Sequence, residues 1–424
     1  MSLSPALLHT DKLHALLCVS KAMASGIHLD ELLEVIVAQA TEVVAAERSS
    51  LFLYDPEPDE LYSVVARGLE AAPLRMAAGT GLAGYVARTR AVVNVRDAYA
   101  DPRFDPTVDR QTRFSTRSVL AMPIVGTDDR LLGVVQVLNK RGDDAFGPED
   151  EVLLEAFCSH AAVALERARL VEAYVEQQRM HEALKLARDI QRGMLPRPFA
   201  QPHEHVELHA LLTPAMLVGG DLYDYFFVDE HRLAFAVGDV SGKGVSASLF
   251  MAGTHTLLHA AGLEGLPPNR CLAQINRVQQ NQTSMFVTLF YGLLDLRTGE
   301  VVYGNAGHPP PVLVGPEGPA RFAPRSENLP LGLLSRLTFQ PDRLALDHGT
   351  LLFLYTDGVT EAVDADGEMF GEARLLETLE DCRGLAPSAV VERVSEAIGA
   401  FSHGEAQRDD ITMLALRYFA PVAD

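Results

Sequence analysis

The chain has 424 residues with 57 acidic and 36 basic side chains, and its net charge of −21 disfavours a polyanionic nucleic acid as partner. Hydrophobic residues make up 48 %, enough for sizeable cores in two or three domains, yet no run reaches the roughly 18 apolar residues of a membrane span. Cys18, Cys158, Cys271 and Cys382 follow neither metal nor disulfide spacing, and no signal peptide is recognisable, so the expectation is a cytoplasmic protein with reduced thiols.

Residues 1–24 read as a short helical lead. LDELLEVIVAQATEVV, from Leu29, has apolar residues at helical spacing, with Asp30 and Glu31 near its start. SSLFLYDPEPDELYSVVARG reads as two strands around a Pro/Asp turn. GTGLAGYVARTRAVVNV supplies a turn, a short helix and a strand. VLAMPIV and LLGVVQVLNK are two further strands, and a long helical pattern begins at Pro148. Residues 25–168 are therefore expected to form one α+β domain around an antiparallel sheet.

The helical pattern continues through a linker at 169–197 and stops at Pro196. Leu170, Ala173, Gln177, Met180, Leu184, Ala187, Gln191 and Met194 alternate spacings of three and four, a heptad seam with two Gln interruptions. Two readings stand. The helix packs on its own domain, or it pairs in parallel with a second copy and its Gln residues fix the register.

From 198 to 420 strand-like runs alternate with polar turns: HVELHALLTP, LYDYFFV, RLAFAVGDV, MFVTLFYGLLDL, VVYGNAGHPPPVLV, TLLFLYTDGV and ITMLALRYF. Helical stretches are expected at 245–261 and 387–402. The pattern predicts a second α+β domain with large antiparallel sheets and few helices.

AFAVGDVSGKGVSASLF, at 234–250, has the layout of a phosphate-cradling loop. The P-loop spacing fails, because three residues separate Gly238 from Gly242 and Gly244 stands where a hydroxyl is needed. Asp239 in that turn has counterparts at other strand ends: Asp221 and Asp224 in VGGDLYDYF, Asp357 in LYTDGV, and Asp409 and Asp410 in RDDITML. Each alone reads as a turn residue. Together they suit hard divalent cations, which take oxygen ligands, while glycines allow close backbone approach. A pair of such ions can activate water and clamp a phosphoryl group. GGDLY is not the GGDEF motif of diguanylate cyclases, since Leu222 and Tyr223 depart from it. His308 in NAGHPP reads either as a structural histidine or as a residue that orients phosphate or shuttles a proton. Lys243 is either solvated or a phosphate partner.

In this order, ARDIQRGMLP, VGGDLYDYF, VGDVSGKGVSASLFMA, MFVTLFYGLLD, GNAGHPPP, LYTDGVTEAVDADGEMFG and RDDITML resemble the SpoIIE/RsbU branch of the metal-dependent PPM serine/threonine phosphatases. The resemblance covers 186–418. It implies an αββα sandwich holding two Mn²⁺ or Mg²⁺ ions. Asp221, Asp239, the Val240 carbonyl, Asp357 and Asp409 would be ligands, with Asp239 bridging both ions. Asp224, Gly238, Lys243, His308 and Asp410 would support them. The implied reaction is attack of a metal-activated water, without a phosphoenzyme, on a phosphorylated STAS-domain anti-sigma-factor antagonist.

The first domain resembles GAF domains, on Asn139, Lys140, Phe146, Asp150 and Glu151. That resemblance leaves open a cyclic nucleotide, another small ligand, or no ligand with the fold used for dimerisation, and with the heptad seam the expectation is a homodimer through the GAF domain and linker helix. The expected protein is a GAF-regulated phosphatase without nucleic-acid or membrane partners. The alternative is a catalytically silent GAF-dimer scaffold that binds a partner protein without hydrolysis.

Overall fold

The computed structural model describes residues 29–66, 75–142, 145–199, 203–279, 285–325, 328–334 and 337–421. The lead expected at 1–24, with Cys18, lies outside them. The chain divides into two compact units between Arg179 and Met180.

The first unit runs α1 (Leu29–Val43), β1 (Ala46–Asp55), β2 (Glu60–Ala66), β3 (Arg75–Ala77), α2 (Gly81–Thr89), β4 (Val93–Val95), α3 (Thr107–Thr112), β5 (Val119–Val125), β6 (Leu131–Lys140). Its strands form a six-stranded sheet in the order β3-β2-β1-β6-β5-β4, and every pairing is antiparallel. The pleat of β5 explains how the sheet is covered. Leu120, Met122 and Ile124 join Leu33, Ile36, Val37 and Ala40 of α1 on one face. Val119 and Ala121 join Leu82 and Val86 of α2 on the other.

The GAF signature residues close this sheet. Asn139 takes a left-handed backbone, φ 57°, which asparagine tolerates. Its Oδ1 accepts from Arg117 N at 2.6 Å and its Nδ2 donates to the Ser115 carbonyl at 3.0 Å. Lys140 Nζ lies 2.7 Å from Asp150 Oδ1 and also donates to the Val44 carbonyl. Asp150 Oδ2 accepts from Gly147 N, Glu151 accepts from Asn94, and Phe146 is buried in the core.

Helix α4 (Pro148–Met194) has 47 residues, about 70 Å at 1.5 Å per residue. Leu170, Tyr174 and Met180 on it are exposed among the described residues. No described helix is long and apolar enough to cross a membrane.

The second unit contains β7 (Val206–Thr213), β8 (Leu222–Phe227), β9 (Arg232–Val240), α5 (Val245–Leu263), α6 (Pro268–Gln279), β10 (Val287–Asp295), β11 (Glu300–Ala306), β12 (Val312–Val314), β13 (Arg321–Phe322), β14 (Asp342–Ala345), β15 (Leu351–Tyr355), α7 (Asp357–Thr360), α8 (Gly371–Glu380), α9 (Pro387–Ser402) and β16 (Ile411–Tyr418). Two five-stranded sheets have the orders β14-β11-β10-β9-β8 and β13-β12-β15-β16-β7. Leu233, Phe235 and Val237 of β9 meet Leu352, Leu354, Leu414 and Leu416 between the sheets. Ala234 and Ala236 face α5 and α6, and Phe353, Tyr355, Met413 and Ala415 face α8 and α9. The result is helices, sheet, sheet, helices, as the resemblance implies. Burying each large apolar side chain contributes about 1.5–3 kcal/mol.

Helices are less scarce than expected. The sequence reading missed α6 and α8. Both are mostly polar helices that bury one apolar stripe, Cys271, Leu272 and Ile275 on α6 and Leu375 and Leu379 on α8, and their polar faces mask that stripe in a reading by apolar runs. Cys158, Cys271 and Cys382 are buried and unpaired.

Candidate metal centre

The pleat of β9 aims Asp239. Leu233, Phe235 and Val237 point between the sheets, and Asp239 shares their parity. After Val240 the chain turns through Gly242 and Gly244, at φ 91° and 76°, conformations that favour glycine. The turn leads into α5, so the strand–glycine–helix layout presents a carboxylate.

Asp221 arrives on the loop before β8 and is 1 % exposed. Its loop lies against the neighbouring chain. A Cβ on Gly220 would come 2.8 Å from the Val240 carbonyl, and one on Gly219 would collide with the Asp410 carboxylate. Asp410 holds the same loop by accepting from Ala215 N at 2.8 Å and Gly220 N at 2.7 Å. The other sheet supplies two threonines. Thr356 Oγ1 and Thr412 Oγ1 donate to Asp221 Oδ2 at 2.8 and 2.6 Å. Asp357 follows β15 and Asp409 precedes β16, and these strands pair. Lys243 Nζ lies 3.0 Å from Asp409 Oδ2 and also donates to the Arg408 carbonyl.

These carboxylates share one negative field. Burial, then Asp239, pushes Asp221 well above the usual carboxylate range. Burial, then Asp357, pushes Asp239 up to about 7, against a lowering hydrogen bond from Asp221. Asp357 is raised by burial and then by Asp409. Carboxylates accumulated in low dielectric strongly favour a compensating cation. The donors are all oxygen, which fits Mg²⁺ or Mn²⁺ rather than a soft metal. Among the described residues no three His, Cys, Asp or Glu side chains form a ready-made metal cage.

Asp221, Asp239, Val240, Asp357 and Asp409 thus come from adjoining strand ends of both sheets. Asp410 is there too, with both oxygens engaged by backbone amides. Gly238 is a tight-packing position, where a Cβ would meet the Thr288 carbonyl at 2.9 Å.

The structure places Asp224 away from this cluster and shows how His308 and Lys243 are held. Asp224 faces the other way: it shares the parity of Leu222, on the α5 side, and lies 2.7 Å from His259 Nδ1 and 3.7 Å from His255 Nε2. His308 is 5 % exposed. Burial pushes its imidazole down to about 3, so it is neutral at physiological pH and poorly placed to orient phosphate or shuttle a proton. Lys243 is half-exposed and is engaged by Asp409 and the Arg408 carbonyl, which leaves one of its three N–H groups.

Thr356, Thr412 and Gln191 escaped the sequence reading as site residues. Gln191 was read as an interruption of the heptad seam. It is instead buried, with Nε2 donating to the Gly219 carbonyl at 2.7 Å and Oε1 accepting from Gly219 N at 3.2 Å. The clue was positional: Gln191 and Thr412 stand inside two of the recurring motifs, DIQ and DDIT. A cleft of about 270 Å³ adjoins Asp409 and Glu361, floored by Ile398 and Ile411.

Residues 229–419 match the family model "Stage II sporulation protein E (SpoIIE)", and residues 28–165 match the GAF domain model. Asp221 and Gln191 precede the first of these matches. The chain is 31 % identical over 262 residues to protein IcfG of Synechocystis sp., covering 55 % of this chain and 41 % of that one. It is 30 % identical over 184 residues to phosphoserine phosphatase RsbP of Bacillus subtilis, covering 42 % and 45 %. The chain therefore spans less than half the length of either relative. The SiaA-PP2C domain of Pseudomonas aeruginosa has a similar fold, with TM-score 0.52 and 22 % identity, covering 57 % of this chain and 98 % of that one. Residues 28–165 of this chain thus carry a GAF domain and residues 229–419 a SpoIIE domain.

Proposed function

We propose that this chain is a metal-dependent protein phosphatase acting on phosphoserine or phosphothreonine, with a phosphorylated STAS-domain anti-sigma-factor antagonist as substrate. The observation that carries the reading is the carboxylate cluster, in which burial first and then the neighbouring carboxylates lift Asp221, Asp239 and Asp357 together. The kinship with a phosphoserine phosphatase supports it.

Asp221, Asp239, Asp357, Asp409 and the Val240 carbonyl would hold two divalent cations, Mn²⁺ or Mg²⁺. Such a pair, when bound, polarises a phosphoryl oxygen and activates a water nucleophile. The chain's own residues prepare the site. Thr356 and Thr412 fix the orientation of Asp221, and Asp410 fixes the loop that carries it. Lys243 restrains Asp409. The cleft beside Asp409 offers room for the polypeptide flanking the phosphorylated residue.

The GAF domain would take a small ligand, a cyclic nucleotide or another, and act through α4, whose last turns reach Gly219 through Gln191. Exposed Leu170, Tyr174 and Met180 suit a helix that pairs with a second copy in the cytoplasm.

The test is phosphate release from a phosphoserine STAS protein, with and without Mn²⁺, beside Asp239→Asn. Metal-dependent release, reduced about 100-fold or more by the substitution, is expected. Mn²⁺ binding without release from any phosphorylated STAS protein, even with GAF ligands supplied, would favour the silent scaffold.

A further inference from the structure

His308 is restrained more tightly than packing requires. Asn305, itself 2 % exposed, accepts from His308 N at 2.7 Å and donates to its carbonyl at 2.9 Å. Gly307, at φ 70°, precedes it where a Cβ would meet Pro330, and Pro309 and Pro310 follow. The ring is then pinned. His308 Nδ1 lies 2.9 Å from Thr288 Oγ1. Thr288 is the cross-strand partner of Asp239, so the two share a face of the sheet.

The other side of the ring turns to the second sheet. His308 lies on the segment that leads from β11 in one sheet to β12 in the other, where β12 pairs with β15, and its Nε2 is buried with no hydrogen-bond partner among the described residues. Tyr355 ends β15, and the next two residues are Thr356, which donates to Asp221, and Asp357. One imidazole therefore stands between the neighbour of Asp239 and the strand end that carries Asp357. An aliphatic side chain would fill such a space without burying a polar ring.

We infer that His308 is a positioning residue, a strut between the two sheets that sets the separation of Asp239 from Asp357 and hence the affinity for the divalent cation pair. The inference rests on the two-cation reading of the carboxylates. It does not depend on which phosphoprotein is the substrate. His308 does not touch the reacting atoms, and it acts through Thr288 and the end of β15.

The experiment uses the full-length chain with His308→Phe, His308→Gln, Thr288→Val and the Thr288→Val/His308→Phe double variant. Three quantities are read: Mn²⁺ affinity by calorimetry, thermal unfolding without metal, and p-nitrophenyl phosphate turnover against pH. The inference expects Mn²⁺ affinity to fall about tenfold in His308→Phe and measurably in Thr288→Val, the scale for residues behind a metal ligand. The double variant should be no worse than His308→Phe, because both act through one contact. His308→Gln should recover part of the loss, and both limbs of the pH profile should persist. Unchanged Mn²⁺ affinity with only a lower unfolding temperature would overturn the inference and leave a packing role. Unchanged affinity with one pH limb lost would overturn it in favour of proton transfer. Wild-type protein that binds no Mn²⁺ would overturn the two-cation reading and this inference together. Binding without turnover would overturn only the proposed reaction, and the affinities would still decide the role of His308.

Discussion

Gln191 and Gly219 are joined in both directions, with the side-chain amide donating to the Gly219 carbonyl and accepting from its N–H. Gln191 is three residues from the end of α4, and Gly219 is two residues before Asp221. The last turns of a helix that begins at Pro148 therefore hold the loop of a candidate metal ligand. Loss of such a buried pair of bonds costs about 1–3 kcal/mol. Gln191→Ala is expected to lower phosphatase turnover about tenfold and to speed amide exchange at Gly219–Asp221. Wild-type values for both would remove the helix end from control of the loop.

The glycines of that loop admit no side chain. Gly220→Ala would drive a methyl against the Val240 carbonyl at 2.8 Å. We expect about 1–3 kcal/mol of destabilisation, the usual range for overpacking. Urea unfolding of the variant measures it, and weakened Mn²⁺ binding should accompany it.

Asp239 predicts a pH signature in the metal-free protein. Its folded-state pKa is raised from 3.8 to about 7, by burial first and then by Asp357. A raised folded pKa means the folded state holds its proton more tightly. The stabilising contribution is full below the unfolded pKa and is lost as pH rises through the folded one. Metal-free wild type should therefore lose stability relative to Asp239→Asn between about pH 4 and 7, and level off above. Adding Mn²⁺ above pH 7 should reverse the order. Thermal unfolding of both proteins across pH, with and without metal, decides it.

In the GAF domain, Lys140 and Asp150 form a 2.7 Å ion pair with side chains only 16 % and 12 % exposed. Asp150 also accepts from Gly147 N. Asp150→Ala strands a largely buried ammonium and should destabilise the first unit by about 3 kcal/mol. The loss should appear in the unfolding of the GAF domain and leave Mn²⁺ binding unchanged.

The exposed linker gives a prediction on assembly. Leu170 is 72 % and Met180 59 % exposed, and both occupy the heptad seam. If that seam pairs two copies, Met180→Glu should shift the mass in sedimentation towards a monomer. A wild-type chain that is already monomeric at micromolar concentration would refute the pairing.

Much of this architecture was legible in the chain. Leu233, Phe235 and Val237 alternate with alanines, which identifies β9 and both of its faces. The aspartates stand where apolar runs meet small residues, which marks strand ends. The misses are physical. Asp224 was grouped with Asp221 because they are close in sequence, although its parity with Leu222 turns it towards His255 and His259. The bonds of Gln191 and His308 join segments 28 and 20 residues apart, and periodicity carries no information about such contacts. The helices α6 and α8 are mostly polar, so their single apolar stripes do not stand out as apolar runs.

Asp221 carries a last consequence. Both threonine hydroxyls, Thr356 and Thr412, occupy the same oxygen, Oδ2. Only Oδ1 is left free of them, and it is the oxygen that Asp221 would offer to a divalent cation. A hard divalent ion takes about six oxygens, so a carboxylate that would give one of them would leave room in that shell for solvent.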